Sequence, residues 1–342
     1  VAGRENYFTN PPANGDYRGA NLKRKFGSAW YARSAALANQ RLRSWGANTM
    51  GNWSDKGIYG LKKTVYTVNF STGIGPALPA SIDTASFRAS VQAKLTQLKK
   101  DLADDPWCLG VFSDNELGWP AATAAAVSED YYRICSQEMK AILPGVLYLG
   151  SRIHMGPEAV WRSAGKYCDV ISWNHYEYAI ADLALPAEID KPVMLTEFHY
   201  GALDRGLPHQ GLRTAFNQKQ RTRLFGGMVD QCLAHPKLVG AHWFQWSDQI
   251  YTGRGDGENY QIGFLDIADR PYPEMVATAR AVSARLYATR SAGSAPQAAT
   301  QRGPAERRPQ GPFPKPMVDA LGRRSAPAAP RIFSGLRFSD LR

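Results

Sequence analysis

The stretch Cys108-Leu-Gly-Val-Phe-Ser-Asp-Asn-Glu-Leu-Gly-Trp119 decides how the rest of the chain is read. Residues 109–112 are an apolar run of strand length that passes straight into Ser113, Asp114, Asn115 and Glu116, closed off by Gly118, Trp119 and Pro120. Such a run reads as a short buried strand that delivers a carboxyl group to a rim. In parallel α/β proteins the carboxyl ends of strands are where ligands bind. A second carboxylate at the same rim would make a chemical pair. Glu197, at the end of the apolar run Pro192-Val-Met-Leu-Thr-Glu197, is the candidate.

Working outward, strands and helices alternate. Upstream, residues 48–55 read as a strand with a polar end and 64–70 as an alternating, β-branched strand. A helix capped by Asp83 follows, with Phe87, Val91, Leu95, Leu98 and Leu102 at near-helical spacing. Downstream come a helix over 129–142, a strand over 146–153, a short helix over 157–164 and a strand over 169–173. The strand ending in Glu197 precedes a helix over 211–234 whose inward residues are expected to be Phe216, Leu224, Val229 and Leu233. A strand over 238–246 and a closing helix over 273–287 complete the pattern. Residues 1–20 read as a loop and 29–43 as a surface helix.

This alternation predicts parallel strands and a (β/α)8 TIM barrel over residues 1–289. Seven strands are counted from Asn48 to Trp246, so the expectation is a barrel lacking its first strand, which would precede Val1. Beyond Arg290 the composition shifts to Ala, Pro, Arg, Ser and Gly, and 290–342 read as a disordered tail.

The net charge of +11 is concentrated in that tail, where ten Lys or Arg face three Asp or Glu and leave the body at +4. No recognition fold or basic-aromatic repeat accompanies it, which argues against a nucleic-acid partner. No apolar run approaches the roughly 18 residues of a membrane span. The four cysteines form no C-x-x-C pair and read as buried thiols. The six histidines show no ligand spacing, so neither a metal nor another cofactor is expected. Oligomeric state is not legible.

Glu116 and Glu197 are 81 residues apart, three strand-helix units of about 27 residues each. As the fourth and seventh of eight strands they would face each other across the barrel mouth. Two carboxyls about 5–5.5 Å apart suit a double displacement at a glycosidic carbon: one attacks, the other donates a proton and later accepts one from water. Other strand ends supply Asn52, Trp53 and Asp55, His154, and Asn174, His175 and Tyr176 as candidate binding residues. The Tyr176 hydroxyl is expected on the nucleophilic carboxylate. From the last strand, period-two alternation puts Trp243 and Gln245 on one face. Trp243 is then expected as a floor under a sugar ring and Trp246 as packing.

Several segments together resemble the β-agarases of glycoside hydrolase family 50, within clan A of the retaining glycosidases. They are Gly3-Arg-Glu-Asn-Tyr-Phe8, residues 42–55, Phe112-Ser-Asp-Asn-Glu116, Leu195-Thr-Glu-Phe-His-Tyr-Gly201, residues 240–248 and Gly263-Phe-Leu-Asp-Ile267. The resemblance implies that Glu116 is the acid/base, Glu197 the nucleophile and Asn115 a partner of the hydroxyl beside the anomeric carbon. It further implies a galactan substrate, agarose or its oligosaccharides, cleaved at β-1,4 linkages, and a full-length form that is secreted or periplasmic. The alternatives are another clan A β-glycosidase, such as a β-galactosidase, and a non-catalytic sugar-binding barrel.

Overall fold

The decisive stretch forms β3 (Cys108–Ser113), in the interior of a parallel array. A computed structural model describes Pro12 and residues 15–102, 105–181, 183, 185–206 and 209–292. Most of the expected opening loop, the segment 3–8 and the tail from 293 lie outside the described residues.

β1 (Thr49–Met50), β2 (Val65–Phe70), β3 and β4 (Leu147–Tyr148) make one sheet in that order, and β5 (Ile171–Asn174), β6 (Val193–Phe198) and β7 (Leu238–Trp243) make a second. All five pairings are parallel. The sheets are joined by a parallel bridge between Ile153 and Trp173, with Ile153 N donating to Ser172 O and Asn174 N to Ile153 O. At the outer strands, Gly51 packs against the His242 ring, and a Cβ there would stand 3.0 Å from Nδ1.

Helices cover one face. They are α1 (Tyr17–Phe26), α2 (Trp30–Trp45), α3 (Lys56–Tyr59), α4 (Thr84–Leu102), α5 (Ala124–Ile142), α6 (Glu158–Tyr167), α7 (Gln218–Ala234), α8 (Pro273–Ser283) and α9 (Leu286–Ser291). Neighbouring residues of one strand divide between two apolar clusters, as the pleat requires. Val111, Ile171 and Leu195 join the large cluster shared with helix residues such as Leu95 and Met228, whereas Phe112, Val170 and Met194 join a small one with Leu149. The small cluster is the inner face of the strands, and it lies below the polar strand ends.

The structure departs from the sequence reading in several places. The strand expected over 48–55 shrinks to β1 with α3 close behind it, and the one expected over 238–246 ends at Trp243. Residues 17–20 are helix, because the Asp16 carboxylate caps α1 through Gly19 N. α7 begins only at Gln218, capped by Asn217, so its inward face is Arg221, Phe225, Met228 and Cys232; Phe216 precedes it and is 60% exposed. β4 shrinks to two residues because Gly150 and Arg152 take positive φ, at 75° and 55°, and break the ladder. The closing helix is broken into α8 and α9, and Arg290 in α9 donates to the carbonyls of Leu233, His235 and Pro236, so it belongs to the packed body.

Candidate active site

Glu116 reaches the rim through a turn that regular structure would not allow. Asp114 and Glu116, either side of Asn115, both have left-handed φ, 53° and 48°. For a side chain with Cβ this conformation costs about 1–3 kcal/mol and persists only where surroundings enforce it. Here they do. The Asp114 carboxylate accepts from Thr72 N (2.9 Å), Thr72 Oγ1 (2.5 Å) and Tyr131 Oη (2.8 Å). Gly118 N donates to Pro76 O at 2.7 Å and Leu78 N to Gly118 O at 2.9 Å. Trp53 and Arg152 also have positive φ, so four of the six such non-glycine residues described lie in this site.

Glu197 is aimed by β6, whose register with β7 slips between Leu195 and Phe198, while β5 slips against β6 at Trp173/Asn174. Irregularities of this kind re-aim side chains next to functional sites. The Glu197 carboxylate is almost fully buried and accepts from three donors. Arg152 Nη2 and Trp53 Nε1 (3.1 Å) donate to Oε1, and the Tyr176 hydroxyl donates to Oε2.

A chain of side chains joins the two carboxylates. Arg152 Nε donates to Asn115 Oδ1 at 2.7 Å. Asn174 Nδ2 donates to that same oxygen at 3.2 Å and to Glu116 Oε1 at 2.8 Å. Thr196 Oγ1 holds Asn174 from behind, donating to its Oδ1 at 2.7 Å. Burial, first, and the Glu197 charge push the Glu116 pKa up, while the Asn174 amide, His154 and the Arg152 cation pull it back.

The remaining expected residues divide. Trp53 is in the site, its ring half exposed above the Arg152 guanidinium at 5.7 Å. His154 is at the rim, with Nδ1 3.1 Å from Asn174 O and its ring edge-on to Tyr176. Asn52 precedes Trp53 and carries a buried Nδ2 without a partner. Three others are placed elsewhere. The Asp55 carboxylate caps α3 through Gly57 N and accepts from Tyr31. The His175 ring stacks on Trp173 at 3.9 Å and reaches Ala179 O. Gln245 spends its amide on Ser247 O at 2.9 Å.

Trp243 corrects the expectation most clearly. β7 ends at Trp243, so alternation does not carry on to Gln245. The Trp243 ring faces the helix layer, edge-on to Phe198, Phe225 and Phe264, with Nε1 donating to Ile262 O at 2.7 Å. It is packing, not a sugar floor. Trp246 packs as well, stacked on Trp45 at 5.1 Å. Arg152 is a site residue that the sequence does not single out: it falls at the end of the strand expected over 146–153, and nothing in sequence separates an arginine that enters a cleft from one that reaches solvent.

Among the described residues there is no group of three or more His, Cys, Asp or Glu able to hold a metal ion, and no helix is long and apolar enough to cross a membrane.

Parallel strands with helices on one face, and two strand-end carboxylates wired together at the rim, define an α/β protein whose fold fits a (β/α) barrel. The relatives narrow this class. The chain is 28% identical to β-agarase B of Vibrio sp. (strain JT0107), over 80% of this chain and 39% of that protein. Among solved structures it resembles the agarase AgWH50C (TM-score 0.74, 31% identity, 80% of this chain and 52% of that one). An exo-β-agarase is similar (TM-score 0.74, 28% identity, 80% and 50%). No family model matches. The chain is thus a relative of the glycoside hydrolase family 50 β-agarases, and it spans about two fifths of the curated relative and half of the solved ones.

Proposed function

We propose that the chain is a retaining glycoside hydrolase acting on β-1,4 linkages of agarose or its oligosaccharides, within a barrel that closes around the Glu116–Glu197 rim. The observation that carries this reading is the asymmetry of the two linked carboxylates. Glu197 accepts from a guanidinium, an indole and a phenol, an inventory that suits the acceptor-only carboxylate needed for attack. Glu116 is half-buried, has one amide donor and has its pKa raised, which suits the group that must hold a proton until the leaving oxygen takes it.

In the first step Glu197 attacks the anomeric carbon while Glu116 gives its proton to the departing oxygen. In the second, Glu116 takes a proton from water as the water displaces Glu197. Charge on Glu197 is lost when the glycosyl–enzyme bond forms, which lowers the Glu116 pKa and fits its change from acid to base. Asn115, held by Arg152 and Asn174, is positioned to meet the hydroxyl beside the reacting carbon. A secreted or periplasmic full-length protein would match a polymeric substrate.

Agarose and neoagaro-oligosaccharides are the substrates to assay, with nitrophenyl galactoside as contrast. The parent should release sugar from the first two with retained anomeric configuration by NMR. Glu116→Gln should lower kcat about 10²–10⁴-fold, and Glu197→Gln further. Turnover of the nitrophenyl galactoside alone would replace the agarase reading by a β-galactosidase one. Binding without turnover in the parent would make the chain a sugar-binding barrel.

A further inference from the structure

Arg152 carries more than its bond to Glu197 requires. One edge of the guanidinium is filled, Nε by Asn115 and Nη2 by Glu197, and its faces lie over Trp53 at 5.7 Å and Phe112 at 5.1 Å. The third nitrogen, Nη1, is buried and has no partner, on a side chain only 1% exposed. An unpaired buried donor on a charged group is costly and demands an explanation. The backbone is also held at φ 55° to put this side chain here.

Two other unpaired buried nitrogens belong to residues that adjoin the neighbours of Arg152. Asn52 Nδ2 lies on the residue before Trp53. His242 Nδ1 lies against Gly51, the residue before Asn52, and the Arg152 charge reaches the ring. Burial and that charge lower the His242 pKa to about 4, so the ring is neutral near pH 7, and its Nδ1 can accept when the proton sits on Nε2. Two donors and one acceptor are the complement of an alcohol, which accepts twice and donates once. The Arg152 charge is already opposed by Glu197. The corner therefore suits a neutral hydroxyl, not the carboxylate of an acidic sugar.

We propose that Arg152, Asn52 and His242 form the recognition corner for a hydroxylated, uncharged edge of the sugar bound against Glu197, with Arg152 serving at once as positioning residue for Glu197 and Asn115 and as a substrate contact. This rests on the hydrolase reading above.

The test pairs variants with substrates. The full-length chain and its Asn52→Ala and Arg152→Gln variants are assayed on neoagaro-oligosaccharides and on a series lacking one hydroxyl at a time on the sugar at the cleavage site. Asn52→Ala, on a partly exposed loop, should lower kcat/KM about tenfold, mainly through KM. One deoxy sugar should cost the parent a similar factor but cost Asn52→Ala little more, because contact and hydroxyl are lost together. Arg152→Gln should also move the basic limb of the pH profile, which Glu116 sets, to higher pH, since the cation that lowers the Glu116 pKa is gone. An arginine whose charge does not reach Glu116 would leave that limb in place.

Independent, additive losses for every hydroxyl would mean that these nitrogens hold water instead, and would overturn the proposal. So would a preference for uronic-acid glycosides. A chain that turns over galactan without coupling fails this inference alone. A chain that neither turns over nor binds any of these sugars fails the functional reading and takes this inference with it.

Discussion

Two buried arginine–carboxylate clusters in this molecule share a parts list and differ in how completely they are wired. Beneath β7, Arg221 donates to Tyr200 O, Gln218 Oε1 and Gly263 O, so all three of its nitrogens are used. The nearby Asp248 accepts from Gly263 N and Tyr272 Oη, and Arg221 lies over Trp243 at 5.6 Å and Tyr272 at 5.2 Å. At the strand ends, Arg152 with Glu197, Tyr176 and Trp53 repeats the arrangement, yet keeps Nη1 unpaired. The first cluster is saturated and joins α7 to the loop after β7. The second is unsaturated and held by residues at positive φ. On the proposed reading, the closed network serves the fold and the open one, built at the cost of backbone strain, serves a ligand.

The two tryptophans give the sharpest way to break this contrast. Trp243→Ala should destabilise the fold by about 3–5 kcal/mol, as for other large aromatic truncations in cores, measured by denaturant unfolding. Trp53→Ala, at a half-exposed ring, should cost clearly less, about 1 kcal/mol, while weakening catalysis, since it removes a donor to Glu197. Equal stability losses at both positions would erase the distinction between a structural and a functional cluster.

A smaller effect tests the saturated cluster by pH. Burial pushes the Asp248 pKa up to about 6. A carboxyl whose folded pKa is raised lends stability that is full below its unfolded value, near 4, and is lost as pH rises through 6. Relative to Asp248→Asn, the parent should therefore lose on the order of 2–3 kcal/mol between pH 4 and pH 7. A difference that stays constant across that window would place Asp248 in a more polar setting than its surroundings suggest.

How much of this was legible beforehand depends on where information is local. The strand leading to Asn115 and Glu116 and the apolar run into Glu197 could be read, because a buried strand followed by a carboxylate is a contiguous pattern. The Tyr176 contact with Glu197 followed from its strand-end position and is present. α1 could have been read too, since Asp16 ahead of Tyr17 is a cap signal and Gly27 a stop. The inward face of α7 was misread because its start was set before the Asn217 cap, which brought in Phe216 and rotated the stripe. Trp243 and Arg152 were not legible. Alternation fails where a strand ends, and the path of an arginine side chain depends on a backbone that turns left-handed at the arginine itself.

The central claim is that Glu197 attacks and Glu116 delivers the proton. The most direct measurement is to trap the glycosyl–enzyme with a 2-deoxy-2-fluoro sugar matched to the substrate and locate the label by peptide mass spectrometry. The label is expected on Glu197, with the parent inactivated in step with its appearance. A label on Glu116, or inactivation-free turnover that inverts the anomeric centre, would contradict the account.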